Sequence, residues 1–148
     1  MENTVLTSIA NQFGSPIYVY DAEKMEHQYK RLTQAFQNVP KLRINYAVKA
    51  LSNVNILSFM HNLGAGLDTV SIQEVKLGLY AGVPAKMIIF TPNGVSLEEI
   101  EEAAALGVQI NIDNLSLLEQ FGSKHPDVPV CIRINPHVMA GGNTNISV

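Results

Sequence analysis

Two hydrophobic periods alternate along this chain. Five short stretches carry the period of a β-strand: Arg43 to Lys49, Gly66 to Val70, Met87 to Thr91, Val108 to Asp113 and Val130 to Asn135. Their centres fall near residues 46, 67, 89, 110 and 132. That spacing of about 21 to 22 residues suits a strand followed by a crossover helix. Within the first stretch Ile44, Tyr46 and Val48 alternate with Arg43, Asn45, Ala47 and Lys49. The fifth sets Val130, Ile132 and Ile134 against Cys131, Arg133 and Asn135.

Helical signals fill the gaps. Ser71 with Glu74, and Ser96 with Glu99, are predicted capping boxes, in which the serine oxygen accepts a first-turn N–H and the glutamate reaches back. Gly82 and Gly107 stand where a helix end calls for a left-handed residue. Ser52 to Gly64 and Asn114 to Gly122 repeat the arrangement without the glutamate. Before the first strand, Met25, Tyr29, Leu32 and Phe36 share one helical face, with Asp21 as the predicted cap and Pro40 beyond the end. Ile17 to Tyr20 lies outside the repeat. The stretch Pro136 to Val148 reads as a loop.

A βαβα series means a parallel sheet, as a barrel or as a doubly wound open sheet. Strands covered by helices on both faces should be apolar on both. The polar face of these strands favours an α/β barrel whose interior leads up to a site.

Composition narrows the classes without changing this picture. The chain has 148 residues, 47% hydrophobic and 16% charged, with net charge −3, one cysteine and no tryptophan. Intrinsic disorder needs lower hydrophobicity and higher charge. No apolar run approaches the roughly 18 residues of a membrane span, and the first residues lack the basic start and apolar core of a signal peptide. Cys131 alone makes neither an internal disulfide nor a thiolate zinc site. Mild acidity argues against a nucleic-acid surface. A cytoplasmic protein with no membrane or nucleic-acid partner is the expectation.

Candidate chemistry gathers at the strand ends. Active sites of barrels lie at the C-terminal ends of the strands, and Lys49 is predicted to end the first. Crowded by apolar neighbours, its amine would be neutral and able to form a Schiff base; snorkelling to water is the plain alternative. Asp68 and Arg133 hold equivalent positions on strands two and five, and Asp113 closes strand four. Together they could hold a lysine charge and an anionic oxygen, or form a structural salt-bridge layer. Glu74 is accounted for by its cap. Glu98, Glu99, Glu101 and Glu102 suit the positive end of a helix as a solvated face. His27, His61, His125 and His137 lack metal-ligand spacing, although His137 follows strand five. Gly141 and Gly142 form a weak phosphate-loop signal.

With Lys49 on the first barrel strand, the chain resembles the fold-type III pyridoxal-phosphate decarboxylases, and most of all their diaminopimelate decarboxylase branch. The matching blocks are Gly14 to Asp21, the more specific Tyr46-Ala47-Val48-Lys49-Ala50, Gly66 to Ser71 with Glu74, and Arg133 to Pro136. Ile72 and Gln73 replace glycines common in the family. The resemblance implies that Lys49 carries pyridoxal 5'-phosphate as a Schiff base and that Asp68 and Arg133 belong to the cofactor site. It also implies an amino-acid substrate, meso-diaminopimelate, decarboxylated to L-lysine by a cytoplasmic homodimer. Ile17 to Tyr20 would pair with a C-terminal β-domain. Cys131, on strand five, is not the family's interface cysteine, which the resemblance assigns to that domain. Ornithine, arginine or carboxynorspermidine decarboxylation is the nearest alternative, and a non-catalytic barrel that binds a partner is another. The Asn-Ala-Tyr-Gly run of alanine racemases is absent after Lys49.

Five strand–helix periods fall short of the eight in a barrel of about 250 residues. Residues 1–148 are therefore expected to be the N-terminal portion of a (β/α)8 barrel, inactive by themselves.

Overall fold

A computed structural model describes residues 1–134. It forms two compact units, one of residues 1–42 and one beginning at Arg43.

The first unit holds helices α1 (Asn3–Phe13) and α2 (Ala22–Ala35). The sequence pattern did not predict α1, which has no side-chain cap at Glu2 and no buried residue. Asp21 caps α2 as expected, its carboxylate accepting from the Lys24 amide at 3.0 Å. That bond is the main reason its carboxyl lies below its ordinary value. On the predicted apolar face Met25 and Tyr29 are half-buried, whereas Leu32 and Phe36 stay exposed. Ile17 to Tyr20 is exposed and forms no strand among the described residues.

The second unit is a parallel sheet of β1 (Asn45–Ala47), β2 (Gly66–Thr69), β3 (Ile88–Phe90), β4 (Gln109–Ile112) and β5 (Val130–Ile132), in that spatial order. Helices α3 (Val54–Asn62), α4 (Ile72–Tyr80), α5 (Leu97–Ala105) and α6 (Leu115–Lys124) alternate with the strands. An order that never reverses has no topological switch point, which separates it from a doubly wound sheet. It is five consecutive units of the barrel architecture.

Register decides which residues the helices cover. Leu67 pairs with Ile88, and Phe90 with Ile110. These side chains are fully buried, and they pack in one core with Leu57, Val75, Ile100 and Phe121 from the helices. The alternate positions Ala47, Asp68, Ile89 and Asn111 face the other way and are only half-buried. Burial thus alternates in β2, β3 and β4, whereas the three residues of β1 are all half-buried and Ile132 and Ile134 of the fifth stretch are exposed, so the apolar face read there is not covered among the described residues. Thr69, the one fully buried polar residue among the described residues, donates its hydroxyl to the Ile89 carbonyl at 2.8 Å.

Caps follow the predicted pattern with three departures. Asn53, not Ser52, caps α3 by accepting from the Asn55 amide at 2.9 Å. Gly122 does not end α6, which runs on to Lys124 with His125 at its C-cap. Gly82 and Gly107 do take the left-handed turns expected after α4 and α5, at φ 88° and 75°. Only Ser96 and Glu99 make the full reciprocal capping box.

Glu101 ties α5 to α6. Its carboxylate accepts from both Lys124 and His125, each at 3.1 Å, and the His125 ring stacks at a tilt on Phe121 with centroids 4.8 Å apart. The bonds from His125 and then Lys124 hold the Glu101 carboxyl below its ordinary value of 4.5. A carboxyl lowered by folding stabilises the fold above its unfolded value and loses that contribution as pH falls through the lower folded value. Glu101→Gln should accordingly lower the melting temperature at neutral pH, and thermal melts should converge with those of the native chain in acid.

Gly66 marks the tightest strand contact. A Cβ there would overlap the Asn45 side chain and stand 2.6 Å from the Met87 carbonyl oxygen, which belongs to the backbone of the 3₁₀ turn Ala85–Met87 leading into β3 and has little freedom to retreat. Gly66→Ala is expected to cost about 1 to 3 kcal/mol, measured by denaturant unfolding. An unchanged midpoint would show that β2 can shift to admit the methyl group.

Candidate functional site

The polar face of the sheet reaches the C-terminal strand ends, and the sequence-predicted residues stand there on different elements. β1 ends at Ala47, two residues earlier than expected. Lys49 lies instead in a 3₁₀ turn over Val48–Ala50. The turn is closed by the Leu51 amide donating to the Val48 carbonyl at 3.0 Å. It is anchored by the fully buried Val48 side chain and by the Tyr46 hydroxyl, which donates to the Leu51 carbonyl at 3.2 Å. Lys49 itself is exposed, so the expected apolar crowding of its amine is not provided by the described residues.

Asp68 sits inside β2, paired with Ala47 on β1 and Ile89 on β3. It is half-buried, and its Oδ1 accepts from the Thr91 hydroxyl at 3.1 Å. Thr91 follows β3 directly and is fixed by its amide donating to the Thr69 carbonyl at 2.8 Å. The same Thr91 oxygen accepts from Asn111 Nδ2 on β4 at 2.9 Å. Three strands thus contribute to one hydrogen-bonded row. Thr91 and Asn111 were not among the predicted site residues. The signal was present, since both fall on polar positions of predicted strands, but neither is charged.

Arg133 follows β5, held by its amide donating to the Ile112 carbonyl at 2.8 Å, and its side chain is exposed. No ion pair joins Lys49, Asp68, Asp113 and Arg133 among the described residues, so a salt-bridge layer is not what they form there. Asp113 comes just after β4 and lines a cleft of about 410 Å³ with Pro92, Asn93, Ile112 and Leu117; Lys49, Asp68 and Arg133 do not line it. Two buried acceptors, Asn45 Oδ1 and Asn111 Oδ1, have no hydrogen-bond partner among the described residues.

The remaining candidates resolve locally. His61 lies 3.3 Å from the Ala65 carbonyl and His125 meets Glu101. Among the described residues no group of three or more His, Cys, Asp or Glu could hold a metal. Glu102 pairs with Lys76 at 2.7 Å, so the acidic run is partly engaged rather than wholly solvated. Cys131 is free and exposed. No described helix is long and apolar enough to cross a membrane. His137, Gly141 and Gly142 lie outside the described residues.

Comparison with known proteins extends this picture. Residues 22–148 match the family model described as pyridoxal-dependent decarboxylase, pyridoxal binding domain. Diaminopimelate decarboxylase of Pseudomonas fluorescens is 36% identical across 99% of this chain, which covers 36% of that protein. The crystal structure of diaminopimelate decarboxylase from Helicobacter pylori complexed with L-lysine superposes at TM-score 0.79 and 33% identity, over 90% of this chain and 35% of the other. Lysine/ornithine decarboxylase from Vibrio vulnificus, complexed with putrescine, gives 0.78 and 30% over 88% of this chain and 36% of the other. The chain spans about a third of the length of the relatives it matches.

Glu74 lies at the start of the helix that follows β2, and its carboxylate is engaged there. Its Oε2 accepts from the Val70 amide at 2.8 Å, one residue before the predicted partner, while its own amide donates to Ser71 Oγ at 3.2 Å. Glu74→Ala should remove about 1 kcal/mol of stability, read from denaturant unfolding. A loss far above that would indicate a further role for the carboxylate.

Proposed function

Because the chain belongs to the pyridoxal-dependent decarboxylase family, we propose that it forms the cofactor-binding part of an amino-acid decarboxylase in which Lys49, Asp68 and Arg133 serve pyridoxal 5'-phosphate. The observation that carries this reading is the position of the three residues. They follow or lie within β1, β2 and β5 of one sheet, toward the C-terminal strand ends, where barrel sites form. The residue types fit the group: an amine, a carboxylate and a guanidinium, with the orphaned buried acceptor of Asn111 linked to the carboxylate through Thr91.

Pyridoxal phosphate, when bound, supplies an aldehyde for amines and a ring that accepts electrons as a carboxylate leaves. The chain's own residues would do the rest. Lys49 would hold the cofactor through its Nζ, and its exposure leaves that amine open to exchange with a substrate amine. Asp68 would keep a negative charge beside a cationic nitrogen. Arg133 would donate to an anionic or phenolic oxygen, and its planar fork suits that task better than an ammonium.

The substrate we propose is meso-diaminopimelate, with L-lysine and carbon dioxide as products. The reading is supported by curated relatives of that name at up to 36% identity. Ornithine decarboxylation is the second reading, favoured by the nearly equal likeness to the Vibrio vulnificus enzyme. Homodimeric, cytoplasmic operation belongs to the same proposal. So does the assignment of residues 1–148 to the N-terminal portion of the barrel, with residues 17–20 pairing to a β-domain.

Borohydride reduction of the full-length protein with pyridoxal phosphate, followed by peptide mapping, should place one stable label on Lys49. Lys49→Ala should abolish the label and lower kcat at least about a hundredfold. A label on another lysine, or none, rejects the assignment. Product analysis with meso-diaminopimelate and ornithine in parallel separates the two substrates.

A further inference from the structure

The row of hydrogen bonds across β2, β3 and β4 has a direction, and its chemistry sets it. Asp68, when ionised, only accepts, so the 3.1 Å hydrogen bond between its Oδ1 and Thr91 Oγ1 requires the Thr91 proton to point at Asp68. A hydroxyl has one proton. Thr91 must therefore accept from Asn111, which turns the Asn111 amide so that Nδ2 faces Thr91 and Oδ1 faces away. That orientation leaves Asn111 Oδ1 buried without a partner among the described residues. Leaving a buried acceptor unmatched is unfavourable, so the bond from Nδ2 to Thr91 outweighs the alternative orientation.

We infer that Thr91 and Asn111 are positioning residues for Asp68. Asn111 fixes the Thr91 hydroxyl, and Thr91 fixes the Asp68 carboxylate with Oδ1 occupied. Oδ2, which has no partner among the described residues, is then the oxygen Asp68 presents to a cationic nitrogen of the cofactor. Neither Thr91 nor Asn111 needs to touch the cofactor for this. The inference rests on the proposed role of Asp68 in the cofactor site. It goes further in assigning two uncharged residues and a division of labour between the two carboxylate oxygens.

Three features of the fold support a positioning role over a filler role. Asp68 is held on both sides by strands, with Ala47 and Ile89 as register partners. Thr91 is pinned by its own amide, so its hydroxyl is delivered by fixed backbone. Asn111 is locked in register with Cys131 on its other side. All three side chains are half-buried, where a hydrogen bond to a charged group counts for more than it does in water.

The test compares Thr91→Val, Thr91→Ser, Asn111→Ala and the double variant Thr91→Val/Asn111→Ala in the full-length protein. Affinity for pyridoxal phosphate is measured by equilibrium dialysis without substrate, below the melting temperature of each variant. Thr91→Val should weaken binding about tenfold, and Thr91→Ser, which keeps the hydroxyl, should restore it to within about twofold. Asn111→Ala should weaken binding about threefold in the native background and add nothing to Thr91→Val, because it acts through the same hydroxyl. Native affinity in Thr91→Val, or an undiminished Asn111→Ala effect on top of it, overturns the inference. If Thr91→Val does not fold, the single Asn111→Ala variant decides, and unchanged affinity there overturns it. Borohydride mapping of the native protein separates the two levels. A Lys49 label with unaffected variants removes only the positioning row, whereas no Lys49 label removes the proposed cofactor site and the row with it.

Discussion

The two-residue alternation of burial along the three central parallel strands, β2, β3 and β4, is the constraint on which the rest of this structure depends. Leu67, Ile88, Phe90, Ile110 and Ile112 are buried at 0 to 2% exposure against the helices. A one-residue slip of any strand would carry these side chains to the opposite face and bring Asp68 or Asn111 into the apolar core. Burying an unpaired carboxylate or amide there costs several kcal/mol, so the register is set by what the core rejects as much as by what it holds. Gly66 tightens the same condition, because the Met87 carbonyl lies so near that a side chain at that point would require the backbone to shift.

Once the register is fixed, the polar face follows without further instruction. Each strand that sends a Leu or Ile to the helices sends its neighbour in sequence to the other side. Consecutive strands therefore line up Asp68, Thr91 and Asn111 within hydrogen-bond reach. The site and the core are two readings of one pattern. Helix capping contributes at the strand ends: the Ser71 and Glu74 pair holds the turn that follows Asp68, and Asn114 starts α6 two residues after β4 ends.

How far this was legible in the sequence follows from the same physics. Strand centres, their order and the polar face were readable because burial imposes a period that side-chain chemistry cannot disguise. Strand ends were not. Arg43 to Lys49 continues to alternate in sequence, but the chain turns at Val48, and the buried valine with the Tyr46 hydroxyl bond to Leu51 bends the backbone out of the ladder. Helix ends show the same limit. Gly122 has the residue type of a stop signal, yet α6 runs through it, and the Glu101 bonds to Lys124 and His125 lie in the part that continues. Helix α1 left no readable trace because it has neither a side-chain cap nor a buried face. Thr91 and Asn111 differ from Asp68 and Arg133 in carrying no charge, so their residue types alone do not mark them as the groups that set the direction of a carboxylate's hydrogen bonds.

The three proposed cofactor residues are not held equally by the sheet. Lys49 and Arg133 follow β1 and β5, each of which pairs with one neighbour among the described residues, and both side chains are exposed. Asp68 stands on β2 between two strands, with a hydroxyl from the next strand on one of its oxygens. The orientation of its carboxylate is therefore a property of the packed centre of the sheet. A lysine that must exchange its partner gains from freedom at a strand end, since four rotatable bonds let its amine withdraw and return. A carboxylate that must stay beside a cationic nitrogen gains from the opposite, because an acceptor that wanders loses the electrostatic interaction it is there to supply. The contrast between the held carboxylate of Asp68 and the exposed side chain of Lys49 thus comes from where the two residues fall in one strand order.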